Sequence, residues 1–138
     1  MEKTFSMIKP EAVSRGLSGK IITQIEKNGL KIVAQKMLRL SAEQATRFYA
    51  VHQEKSYFDE LIEDITAGPV IVQVLAGENA VENYRQLMGT PNPASAEEGT
   101  IRRLYGLSIE KNAVHGSDTP ETAEREIAFF FNQMEIMK

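Results

Sequence analysis

Apolar residues recur along the chain in two rhythms, every second residue and every third or fourth, and the changes between them mark out the elements. Thr4-Phe5-Ser6-Met7-Ile8 has the composition of a strand, which ends at Lys9-Pro10 because proline disfavours continued pairing. Ile21, Ile22 and Ile25 share one helical face, and Asn28-Gly29 supplies a stop. From Leu30 to Leu40 the even positions Leu30, Ile32, Ala34, Leu38 and Leu40 are apolar, with only Lys36 out of step, which predicts a strand with one buried face. Ser41 to Gln44 reads as a capping box opening a helix through Ala45, Phe48 and Tyr49, and a second helical stretch runs from Tyr57 to Ile65.

Gly68-Pro69 ends that stretch, and the β-branched run from Val70 to Leu75 predicts a buried strand. Asn79 to Met88 reads as a helix closed by Gly89. Residues 89–99 then carry two prolines and two glycines without periodicity, a long loop of the kind that often serves function. After a short stretch around Ile101 to Leu107, Asp118 and Glu121 with Pro120 in the first turn mark a helix start, and Ala123, Ile127, Phe130 and Met134 continue one face. Strand and helix alternate four times, which suggests two βαβ-like halves and an α+β sandwich with helices covering one sheet face.

At 138 residues and 42% hydrophobic content the chain can bury one substantial core, so residues 1–138 are expected to form one domain. With no cysteine, a disulfide framework, a thiolate zinc site and a cysteine nucleophile are excluded. Met1-Glu2-Lys3-Thr4-Phe5 does not read as a secretory signal, and no segment approaches the roughly 20 apolar residues of a membrane span. A cytoplasmic protein without membrane attachment is expected. The net charge of −3 argues against stable nucleic-acid binding, which needs a basic field. An anionic ligand would have to be held by a few basic residues gathered locally.

No P-loop and no Rossmann glycine fingerprint occurs, so phosphates would be held by side chains. Of the two histidines, His52 stands among Gln53, Glu54 and Lys55 and reads as a solvated surface residue. His115 precedes a glycine and a capped helix, in a turn that can aim an imidazole at a cleft. Imidazole is a competent nucleophile at neutral pH, but on these residues alone a histidine in such a turn is more often structural than catalytic. Arg85, and Arg102 beside Arg103, taken alone read as solvated surface charges.

Asn112-Ala113-Val114-His115-Gly116-Ser117-Asp118-Thr119 resembles the signature around the phosphorylated histidine of nucleoside diphosphate kinases. Ile8-Lys9-Pro10-Glu11, Gly68-Pro69-Val70, Asn92-Pro93-Ala94 and Gly99-Thr100-Ile101-Arg102 resemble that family's other motifs, in its order and spacing over almost the whole chain.

The resemblance implies a ferredoxin-like α/β sandwich with a four-stranded antiparallel sheet. It implies ping-pong transfer of the γ-phosphate of a nucleoside triphosphate, mainly ATP, to a nucleoside diphosphate through phosphorylated His115, which maintains nucleotide pools. Glu126 would hydrogen-bond the opposite ring nitrogen, with Ser117 supporting it. Lys9, Arg85 and Arg102 would hold phosphates, Asn112 and Lys9 the sugar, and Tyr57 the base by stacking, with Leu61 in apolar contact and little selection among bases. Mg²⁺ would arrive with the nucleotide and find no protein cage, Asp118 reaching it through water. A homo-oligomer is implied, tetramer or hexamer.

Three departures stand out. Pro91 replaces a threonine whose hydroxyl touches phosphate in the family, so Thr90 is a candidate to take its place. Arg103-Leu104 replaces a small-acidic pair, and the chain ends soon after its last helix, which tilts expectation toward a tetramer. A nucleotide-sensing relative that transfers nothing would not need both a nucleophile and its orienting acid.

Overall fold

The computed structural model describes residues 1–138. Four strands form one antiparallel sheet in the order β2-β3-β1-β4, with β1 at Glu2–Ile8, β2 at Lys31–Leu38, β3 at Val70–Gly77 and β4 at Val114–Gly116. This is the ferredoxin-like topology, with a second helix in each crossover, two helices between β2 and β3, the central strands of the sequence, and one after the last strand. Helices α1 (Pro10–Ser14) and α2 (Ser18–Lys27) lie between β1 and β2, α3 (Ala42–Phe48) and α4 (Phe58–Ile65) between β2 and β3. After β3 come α5 (Ala80–Met88) and α6 (Ile101–Tyr105), and α7 (Pro120–Phe130) follows β4. No helix is long and apolar enough to cross a membrane.

Helices cover both faces of the sheet, not the single face expected. All eight residues of β3 are buried, and two separate cores result. Phe5, Met7, Val70, Val72 and Val74 meet Phe48, Ile65 and Phe130 on one side. Ile8, Ile71 and Leu75 meet Ile21, Ile25, Tyr84 and Met88 on the other. A near-continuous run of β-branched and apolar residues, broken only by the hydrogen-bonded Gln73, is what a strand buried on both faces requires.

The even-position alternation of β2 conceals a change of face. Val33 is an extra residue between the pairs Ile32↔Leu75 and Ala34↔Val74, a β-bulge. Leu30 and Ile32 therefore pack with Ile21 and Leu75, whereas Ala34, Leu38 and Leu40 pack with Phe5 and Phe48.

Several ends fall where their sequence signals stand. Ser41 and Gln44 form the reciprocal capping box of α3, and α2 stops at Asn28. The stretch around Ile101 to Leu107 is α6, started by the Thr100 hydroxyl, which accepts from the Arg103 N–H. The last helix starts one residue later than Asp118 suggested, because Thr119 supplies the oxygen that accepts from the Thr122 N–H. It also ends at Phe130, so Met134 does not continue its face but sits 92% exposed in a 3₁₀ turn, Gln133–Glu135.

Helix α5 has an unusual start. Its N-cap residue, Asn79, has φ +46° and makes no side-chain cap, and the Glu2 carboxylate from β1 accepts from the Val81 N–H at 2.9 Å instead. A negative charge there satisfies an orphan donor and faces the positive end of the helix. Glu2→Ala should therefore cost about 1 kcal/mol of stability, close to the loss of an N-cap, and lower Tm by about 3 °C. Urea unfolding checks this, and an unchanged midpoint would show that the contact contributes nothing.

Candidate active site

The site is built where β4 lies against β1. Met7 pairs with His115 and Ile8 with Val114, so the histidine stands on a strand of three residues held by a fully buried neighbour. Gly116 permits this approach: a Cβ there would lie 2.5 Å from the end of Met88 and 2.8 Å from the Tyr84 ring. Tyr84 in turn shares a 2.8 Å hydrogen bond with the Ser6 hydroxyl, and burial pushes its phenol up to about 12. The imidazole rests on an aromatic floor of Phe5, Phe48 and Tyr49, with ring centres at 6.0, 5.5 and 5.7 Å.

Both carboxylate oxygens of Glu126 stand 3.1 Å from His115 Nε2, and the Ser117 hydroxyl donates to Glu126 Oε1 at 2.6 Å. Burial pushes the Glu126 carboxyl up, but the hydrogen bond and charge of His115, the Ser117 hydroxyl and nearby Arg125 outweigh it and hold it below the ordinary carboxylate range. An ionised carboxylate can only accept, so Nε2 carries the proton and Nδ1 is left with its lone pair free of any protein hydrogen bond.

His115 opens into a cleft of about 630 Å³ in which Met88 is the one hydrophobic lining residue, with Arg85, Thr90, Pro91, Arg102 and Asp118 around it. Arg102 is pinned to two backbone carbonyls, Nη1 donating to Gly89 O and Nη2 to Val114 O, each at 2.9 Å, while its Nε is buried without a protein partner. Gly89 must be glycine for that geometry, having φ +85° and the Thr100 hydroxyl where a Cβ would stand. Arg85 is half exposed beside Glu82 at 3.6 Å, free to swing to an anion.

Lys9 and Asn112 stand behind the cleft wall. Lys9 Nζ donates to Asn112 Oδ1 at 2.8 Å, and Asn112 Nδ2 donates to the Pro91 carbonyl at 3.0 Å. Burial, and then the charge of Arg102, lower the Lys9 ammonium to about 8. Tyr57 lies at the start of α4, 45% exposed, and Leu61 lines a separate pocket of only about 10 Å³ with Lys9 and Asp64, so neither lines the main cleft. Thr90 does face the cleft, and its hydroxyl makes only a long 3.4 Å contact with Asn92 O. Arg103 turns away to donate to Ala94 O, and Leu104 is half exposed.

Two residues of the segment after α3 belong to the site although the sequence pattern did not assign them there. His52, read as a solvated surface residue, is partly buried and lines the cleft. Tyr49 is buried against His115 with an unpaired hydroxyl. The chain tightens into a 3₁₀ turn over Ala50–His52, which swings His52 inward. The Tyr49–His52 spacing of aromatic-type rings was the available signal.

No three His, Asp or Glu side chains converge as a metal cage. Asp118 at the cleft is the kind of single carboxylate that suits Mg²⁺ held mainly by phosphate oxygens and water.

A sequence model described as nucleoside diphosphate kinase matches residues 2–136. Nucleoside diphosphate kinases from Nitratidesulfovibrio vulgaris and Bradyrhizobium diazoefficiens are 54% and 57% identical over 137 residues, covering 99% of this chain and 99% and 98% of theirs. The solved Aquifex aeolicus nucleoside diphosphate kinase superposes with TM-score 0.97 at 40% identity, covering 99% of both chains. A halophilic one from Halobacterium salinarum, in complex with CDP, superposes with TM-score 0.95 at 45% identity over 99% of this chain and 91% of its own. The chain belongs to the nucleoside diphosphate kinase family, phosphotransferases that move phosphate between nucleoside triphosphates and diphosphates.

Proposed function

We propose that transfer runs by a ping-pong cycle through phosphorylated His115. One observation carries this: an ionised Glu126 accepts the hydrogen bond of Nε2–H and leaves Nδ1 nucleophilic in a cleft with two arginines. The Nδ1 lone pair attacks the γ-phosphorus, the bond to the bridging oxygen breaks, and the nucleoside diphosphate leaves. The imidazolium so formed keeps its Nε2 proton, and the Glu126 carboxylate offsets its charge. A second diphosphate takes the phosphoryl group by the reverse path, and the cycle balances nucleoside and deoxynucleoside triphosphate pools, ATP being the main donor.

Arg102 fits a phosphate site because it is already immobilised by two carbonyls and has an unpaired buried Nε, so little ordering is needed when an anion arrives. Arg85, half exposed, and His52 supply further contacts from the cleft lining, and the Tyr49 hydroxyl is a donor without a protein partner. Asn112 and Lys9 address the sugar, and the exposed ring of Tyr57, with Leu61 a turn away, offers a stacking face that does not read base edges. The CDP bound by the Halobacterium relative supports a nucleotide site of this kind. Mg²⁺, when bound, neutralises phosphate charge. The reading extends to a one-domain protein working as a cytoplasmic homo-oligomer, for which exposed Met37, Leu107 and Ile109 offer apolar surface.

Incubation with γ-labelled ATP and no acceptor should give protein-bound label that is acid-labile, base-stable and discharged by any nucleoside diphosphate. His115→Ala should take up none while still binding nucleotide; label that survives acid would mean another nucleophile.

Glu126→Gln should slow phosphohistidine formation by roughly 10²-fold or more with a much smaller change in KM, since the ring loses its orienting charge while the phosphate contacts stay. Rapid-quench single turnovers separate this from a fall in stability, and an effect confined to Tm would make Glu126 structural.

The depressed Lys9 sets a pH limit. In the free enzyme Lys9 loses its proton above about 8, so kcat/KM should fall as pH rises through that value. The sign for folding is opposite: unfolded Lys9 holds its proton up to about 10.5, so the cost of burying this charge is present in full below pH 8 and relieved as pH rises toward 10.5. Lys9→Arg, charged throughout, should remove the alkaline limb of kcat/KM, and a limb that survives in that variant belongs to another group.

A further inference from the structure

The turn that feeds β4 is held in an unfavourable conformation from a distance. Ala113, fully buried, has φ +76°, and the Val114 N–H donates to the Asn112 carbonyl at 2.9 Å, which closes a γ-turn around it. With a positive central φ this is the rare, strained form of that turn, and Ala113 has a Cβ to make it worse. Both backbone groups of Ala113 are gripped by the start of α1: its N–H donates to Glu11 Oε1 at 2.8 Å, and its carbonyl accepts from the Lys9 N–H at 2.9 Å. Glu11 lies 102 residues earlier in the chain and makes no other side-chain hydrogen bond.

We infer that Glu11 is a positioning residue for phosphoryl transfer: its carboxylate holds the strained γ-turn at Ala113 and so fixes the height and angle of His115 two residues on. This rests on the reading of His115 as nucleophile. β4 has three residues and pairs only with β1, so the strand is too short to set its own position. Its C-terminal side is tied through Ser117 to Glu126, and its N-terminal side enters through the γ-turn, where the side chain of Asn112 is held by Lys9 Nζ and the Pro91 carbonyl but the Ala113 N–H by Glu11 alone. Without the Glu11 acceptor the buried Ala113 N–H has no partner, and the peptide gains by rotating out of positive φ. Val114, whose carbonyl also receives Arg102 Nη2, would move with it, so the nucleophile and a phosphate ligand would shift together. Attack geometry is sensitive to shifts well under the length of a bond.

The test is single-turnover phosphorylation of the full-length protein by saturating labelled ATP, with Tm measured alongside. Glu11→Ala should lower the rate of phosphohistidine formation by roughly 10- to 100-fold at a temperature where it stays folded. Glu11→Gln, whose amide oxygen still accepts from Ala113 N–H, should stay within about threefold of wild type. Placing Ala113→Gly in the Glu11→Ala background should recover at least several-fold, because glycine takes a positive φ without an anchor. A role confined to stability would lower Tm in Glu11→Ala and show no rate recovery from the glycine, which overturns the inference, as does a Glu11→Ala rate equal to wild type. If Glu11→Ala does not fold, Ala113→Gly with Glu11→Gln still decides: rates far below wild type in both would overturn it. Failure of the wild type itself to form phosphohistidine sinks the underlying mechanism instead, so the two failures are distinct.

Discussion

A carboxylate taken out of water must be compensated by groups that stay where they are, and at Glu126 that requirement organises the whole site. The side chain is only 5% exposed, so its oxygens need fixed donors. They find the Ser117 hydroxyl and the His115 ring, with Arg125 at 3.8 Å as a weaker, surface-lying supplement. Neither donor is free to wander, because both sit on the segment that runs from β4 into α7. The electrostatic need of one buried acid therefore decides which imidazole nitrogen is protonated and which is left for chemistry.

The sheet supplies rigidity that this short segment lacks. β1 is buried on both faces from Thr4 to Ile8 and pairs along its whole length with β3, so β4 leans on the least deformable part of the molecule. A polar chain crosses that interior: Gln73 donates to Gln35 and accepts from Ser6, which meets Tyr84 beneath Gly116. Buried polar groups are tolerable only when satisfied, and these satisfy one another while fixing the register of three strands. Thr4 Oγ1, in the same strand, is buried without a partner.

Much of this was legible in the sequence because the signals are local. A capping box, a Gly-Pro stop and a β-branched run each act over a few residues, and Ser41, Gly68-Pro69 and Val70–Leu75 mark the elements where they stand. A fourth strand was expected from the alternation, but its place at Val114–Gly116 was not legible, since three residues are too few for a period and its backbone is imposed by β1. The bulge at Val33 hid for the opposite reason: the even-numbered pattern runs on across it, from Ile32 to Ala34, while the face it describes changes. At the site, motif resemblance pointed to His115, Arg85 and Arg102, which line one cleft, and to Glu126 and Ser117, which are buried and hydrogen-bonded in series to the His115 ring. Tyr49, His52 and Glu11 were missed because their relevance depends on which side of a helix or turn meets the cleft, and that is decided by packing across dozens of residues.

The bulge has a further consequence for how this chain tolerates change in length. In an unbroken strand, losing one residue interchanges inside and outside from that point onward. β2 already contains one such interchange at Val33, whose carbonyl is occupied by the Met137 N–H from the far end of the chain. Removing that residue would not simply shorten the strand. It would make Ile32 and Ala34 consecutive, so that Leu30 and Ile32 stay toward Ile21 and Leu75, but it would empty the buried place of Val33 and leave the terminal segment without its acceptor. Parity along β2 is thus held by the register on either side of the bulge, and what the loss of Val33 costs is packing and the tie to the far end of the chain.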